Sequence, residues 1–152
     1  MDAYFLVKTF HVVSASILFG TGLGIAFFLL CGFRARDLRQ RRFAACFTVK
    51  ADVLFTLPAV VVQPVSGAWL VAERGFDPTD FWLVATYALY LLAGACWIPV
   101  VAIQMRMKAM LQGPEPDEAA LARLFRWWFL LGWPAFGGLL VIFYMMVAKP
   151  SW

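Results

Sequence analysis

Four stretches of the chain contain no Asp, Glu, Lys or Arg: Thr9 to Phe33 (25 residues), Val53 to Ala72 (20), Phe81 to Met105 (25) and Trp127 to Ala148 (22). A hydrocarbon layer about 30 Å thick takes roughly 20 apolar residues to cross as a helix, and lipid offers nothing to an unpaired backbone group. Each run is therefore a transmembrane helix. Barrel strands would be only about ten residues long and would alternate in polarity. A soluble fold is excluded by the remainder as well: the 152 residues are 63% hydrophobic and 14% charged, against about 45–50% and about 25% in an ordinary soluble domain. The expected fold is all-α, a polytopic four-transmembrane-helix bundle forming one integral membrane domain over residues 1–152, with helices at about 4–33, 45–72, 81–108 and 121–148.

Charge sets the orientation. Arg34, Arg36, Arg39, Arg41, Arg42 and Lys50 lie between the first two runs, and Arg106, Lys108, Arg123 and Arg126 between the last two; the opposite ends carry only Lys8, Arg74 and Lys149. By the positive-inside rule both termini are extracytoplasmic, in a bacterial inner membrane. The first run is too long for a signal peptide and follows Asp2 rather than a basic cluster, so it is expected to stay in the mature protein. The net charge of +4 is an orientation signal, and no soluble basic face exists for nucleic acid. The partner is the lipid bilayer. Arg34 to Arg42 reads as a basic turn, and Trp82, Trp152, Trp127 and Trp128 read as interfacial belts.

Ser16, Gly20 and Gly24 recur every four residues on the first helix, a stripe of small residues that lets another helix approach closely. Its use is either packing within the bundle or formation of a homodimer or membrane complex. Pro58 and Pro64 each remove a donor from the second helix and free a carbonyl one turn earlier. A bent helix follows, with Ser66 and Gln63 at hand to meet the freed groups. Pro99 and Pro134 act likewise in the third and fourth helices.

An ionisable group inside the bilayer is costly and belongs at an interior site. His11, the single histidine, lies about 10 Å along the helix from Tyr4, and the same counting brings Gln63, Tyr87 and Tyr90 to comparable depth, so these four are the expected outer-half polar cluster and the candidate cofactor-binding residues. Three roles are open to His11: a cross-helix hydrogen bond, axial ligation of a haem or metal, or proton handling for a quinone or porphyrin. A second axial ligand would have to be Met145, Met146 or the His11 of another protomer. Nearer the basic end, Lys50, Asp52, Gln104 and Arg106 read as structural polar pairs, with Arg106 or Arg126 answering Asp52. The spacing of Cys31, Cys46, Cys96 and the methionines is not that of a metal site. No nucleophile triad, phosphate loop, HExxH or CxxC occurs.

Lys8-Thr9-Phe10-His11-Val12-Val13 with Gly20-Thr21-Gly22, Gln63-Pro64-Val65-Ser66-Gly67-Ala68-Trp69-Leu70, Trp97-Ile98-Pro99, Gln104-Met105-Arg106 and Gly132-Trp133-Pro134 resemble the bacterial family known as domain of unknown function 2269, over nearly the whole chain. That family is distantly similar to copper-resistance protein D and to the HemJ-type protoporphyrinogen oxidase. The second likeness implies haem b, with His11 as the associated histidine; the first implies copper movement. The resulting expectation is a membrane protein in haem-, porphyrin- or quinone-linked redox chemistry. The alternatives are a small metal or solute permease and a non-catalytic membrane subunit.

Overall fold

The computed structural model describes residues 3–151, so Asp2 and Trp152 lie outside the described residues. Five α-helices, α1 (Ala3–Arg34), α2 (Leu38–Ala51), α3 (Leu57–Arg74), α4 (Phe81–Gln112) and α5 (Glu118–Ala148), make four spans, because α2 runs into α3 through one π-helical stretch at Asp52–Thr56. Among the described residues there is no strand. The protein is an all-α integral membrane protein whose four spans are each long and apolar enough to cross a bilayer.

The second span starts earlier than expected, at Leu38 rather than near residue 45. The carboxylate of Asp37 accepts from the Arg39 backbone N–H at 3.0 Å, capping the first turn, and nothing in the residues that follow breaks a helix. The basic turn is thus mostly helix. Only residues 35–37 connect α1 to α2.

The wide π turn ends two residues before Pro58, whose ring would press on the carbonyl one turn back in a regular helix. Pro64 leaves the Val60 carbonyl without its helical donor, and the Tyr90 hydroxyl of α4 donates to it at 2.5 Å. The freed group is met by a tyrosine from another span, not by Ser66 or Gln63. At the far end α3 stops at Gly75, which takes the left-handed conformation (φ 63°) that only glycine adopts cheaply.

α5 packs along α4, and α1 along α2 and α3; the two halves join mainly where α2 meets α4. That junction is the core of the basic end, built on Leu29, Ala44, Met107, Leu111 and Leu121. Gly32 makes it possible: a Cβ there would overlap the side chain of Ala44. A Cβ at Gly20 or Gly24 would meet nothing within 4 Å, and Ser16 bonds the Val12 carbonyl of its own helix. The expected stripe therefore does no packing inside the chain, because α2 and α3 approach a different face of α1.

Arg42 donates to the carbonyls of Leu111 (2.6 Å) and Gly113 (2.7 Å), answering the bare C-terminus of α4. Arg41 pairs with Glu118 at 2.7 Å. Toward the middle of the bundle Phe19 stacks on Phe136 across the halves, and a space opens between α1, α4 and α5.

Candidate functional site

Two polar groupings lie inside the spans, and they differ in how well their atoms are satisfied. The first joins α1 to α3. Ser66 donates its one hydroxyl proton to the Val62 carbonyl at 2.6 Å, so the 2.7 Å contact between Ser66 Oγ and His11 Nδ1 is a bond that the imidazole donates. This fixes the tautomer and leaves Nε2 with a bare lone pair. The Gln63 amide donates to the His11 backbone carbonyl at 2.8 Å. Gly67 gives the ring room, since a Cβ there would come to 3.4 Å from His11 Cε1. His11, Gln63 and Ser66 are thus brought together as a cross-helix tie.

The rest of the expected outer cluster is elsewhere. Tyr90 serves Val60. Tyr87, one turn before Tyr90 and about 60° round the helix from it, is 44% exposed and makes no hydrogen bond to the tie. Trp82 lies at the expected end but is buried, with Phe76 edge-on to its ring and Lys149 over it. Trp127 is exposed as a belt residue would be, whereas its neighbour Trp128 turns into the bundle and is 6% exposed.

The second grouping surrounds Asp52. The early start of α2 places this residue 14 positions into the span, about 21 Å from Leu38, instead of at its mouth. The carboxyl is 2% exposed. Thr56, one π turn on, Trp97 and Gln104 of α4 are its polar neighbours, yet neither carboxyl oxygen reaches hydrogen-bond geometry with any of them. Thr56 Oγ1, Gln104 Oε1 and the indole nitrogens of Trp97 and Trp128 are buried and unbonded too. The expected answer from Arg106 or Arg126 is not made: the ion pair among the described residues is Arg41 with Glu118. Arg106 follows Gln104 by two residues and Arg126 precedes Trp128 by two, so each points about 200° away from the interior. Lys50 likewise turns outward, over the Phe47 ring at 4.9 Å.

The residues that carry these unbonded groups line one cavity of about 430 Å³, the groups themselves being buried in its wall. Its walls are otherwise apolar and aromatic, with Phe27, Trp97, Phe129, Trp133 and Phe136 among them, and Phe27, Phe129 and Trp133 are exposed at its lipid-facing rim. Gly22, Gly94 and Gly132 keep the space open. Gln63 and His11 do not line it.

Haem on His11, implied by the resemblance, requires a macrocycle-sized space at the bare Nε2. The Asp52 chamber does not include His11, and neither does the shallower groove of about 440 Å³ at Thr21, Gly24 and Phe47. Among the described residues no three His, Cys, Asp or Glu side chains come together. Neither of these two spaces offers His11 a place for haem within one chain.

The sequence profile of domain of unknown function 2269, described as a predicted integral membrane protein, matches residues 5–150, and the chain belongs to that family. No curated protein and no solved structure matches the chain. Trp97, Thr56 and Trp128 were not singled out by sequence reasoning as site residues. The available signal was the i, i+4 pair Asp52/Thr56 ahead of Pro58.

Proposed function

We propose that this chain is a bacterial inner-membrane protein, both termini extracytoplasmic, that takes an amphipathic small molecule sideways from the lipid into the Asp52 chamber. One observation carries the reading: an aromatic cavity of about 430 Å³, with exposed rings among its lining, in whose wall the polar atoms of Asp52, Thr56, Trp97, Gln104 and Trp128 named above have no hydrogen bond among the described residues. Buried polar groups are ordinarily bonded, and exceptions of this kind call for a partner from outside. Apolar walls with a few convergent polar groups are the usual make-up of a small-molecule site. Quinone- or porphyrin-linked redox chemistry and solute passage both begin with such binding.

The test is binding to the full chain in phosphatidylcholine nanodiscs, against empty discs, of decylubiquinone, protoporphyrin IX and 1-adamantylamine. At least one is expected to bind and to lose affinity at least tenfold in Gly132→Leu. That side chain fills the chamber from a position where a Cβ meets nothing within 4 Å. No binding by any of the three, or binding indifferent to the filling, overturns the reading.

A second reading keeps haem b on His11, supported by its bare Nε2 and requiring a second copy of the chain to complete the pocket. A Soret band in the purified protein that disappears in His11→Ala supports it. A colourless protein that cannot be reconstituted with haem removes it.

A further inference from the structure

We infer that the occupant of the Asp52 chamber is an organic cation, a hydrophobic amine that supplies the positive charge this site lacks. The inference rests on the proposed lateral binding and names its ligand class.

Asp52 and Gln104 line the chamber, and three acceptor oxygens, two on Asp52 and one on Gln104, are buried in its wall without a hydrogen bond among the described residues. No Lys or Arg among the described residues lies within ion-pairing distance of the carboxyl, and the arginines and lysine closest in sequence to it and its neighbours turn outward. A lone carboxylate away from water costs several kcal/mol, which a hydrogen-bonded counter-charge offsets. A neutral quinone would use only the donors, the indole N–H groups of Trp97 and Trp128 and the Thr56 hydroxyl, and would leave Asp52 as it is. An ammonium has donors and no acceptor, which matches what Asp52 and Gln104 miss. The surroundings suit it further: Trp97, Trp128 and Trp133 are among the lining, aromatic rings attract a desolvated cation, and the walls take its apolar body.

The matched probes are 1-adamantylamine, a cation at neutral pH, and 1-adamantanol, the same cage without charge. Both are measured by equilibrium dialysis against the full chain in phosphatidylcholine nanodiscs. Wild type is expected to prefer the amine at least tenfold. Asp52→Asn removes that preference, Gln104→Leu reduces it severalfold, and Trp128→Phe, which keeps the ring, preserves it. Monodisperse elution and unchanged helical circular dichroism qualify each variant, and the wild-type preference stands as a measurement that needs no variant. Equal affinity of amine and alcohol in wild type, or a preference that survives in well-folded Asp52→Asn, overturns the inference. If decylubiquinone or protoporphyrin IX binds while the amine does not, the cation assignment fails and lateral binding stands. If nothing binds, both fail.

Discussion

His11 and Asp52 both lie inside the spans, and the structure treats them oppositely. Around His11 the polar atoms close on one another: Nδ1 on Ser66, Ser66 on Val62, Gln63 on the His11 carbonyl. Around Asp52 none does, although Thr56, Trp97 and Gln104 stand beside it. The first arrangement is complete within the chain and holds two helices together. The second is incomplete and lines an empty space, which makes it the better candidate for work on something else. Rarity of a residue type in the bilayer points to His11, whereas lack of partners points to Asp52 as the candidate.

The contrast has consequences of opposite sign. Asp52→Leu removes an unpaired buried carboxyl and is expected to stabilise the protein by about 1–3 kcal/mol, the largest of these effects, while abolishing the amine preference. Thermal unfolding in nanodiscs reads it, and a destabilised variant would show that Asp52 has a partner after all. Ser66→Ala takes away the acceptor of His11 and is expected to cost about 0.6–1.7 kcal/mol in the same assay, with the chamber's ligand affinity unchanged. A change in that affinity would mean that the two groupings are coupled. Tyr90→Phe strands the Val60 carbonyl and is expected to cost about 0.5–1.5 kcal/mol. Unlike Ser66, Tyr90 also lines the chamber, so the variant sharpens the comparison by touching both regions.

The smallest effect lies outside the membrane. The hydroxyl and backbone N–H of Thr79 hold the Asp77 carboxyl below its ordinary value of 3.8. A depressed carboxyl contributes stability that is fully present above that ordinary value and is lost as pH falls through the lower folded one. Thr79→Ala leaves one of the two bonds. The acid-side fall in melting temperature should therefore become slightly shallower, and an unchanged profile would show that the turn contributes nothing.

How far the sequence could be read follows from what each feature depends on. Helix two shows the limit: its apolar run marked the crossing, but its true start at Leu38 depended on Asp37 capping a basic segment that hydropathy counts as loop. Seven residues of extra helix moved Asp52 from an expected headgroup position to an interior one. Ser66 and Gln63 were visible as polar neighbours of Pro64, yet the bond to Val60 came from Tyr90 on another span. The stripe at Ser16, Gly20 and Gly24 had the right spacing for close packing, and the contact formed at Gly32, outside that stripe. Spacing along a helix says which residues share a face. It does not say which neighbour that face meets.

Four crossings and one bundle were determined by the sequence itself, because the cost of exposing backbone or charge to hydrocarbon depends only on local composition and length. Which polar group is satisfied and which is left over was decided by tertiary structure alone, because hydrogen bonds within about 3 Å depend on how helices distant in sequence are rotated and spread against one another. The chamber lies between α1, α4 and α5, and the outward turn of Arg106 and Arg126 leaves its carboxyl without a charge to answer it.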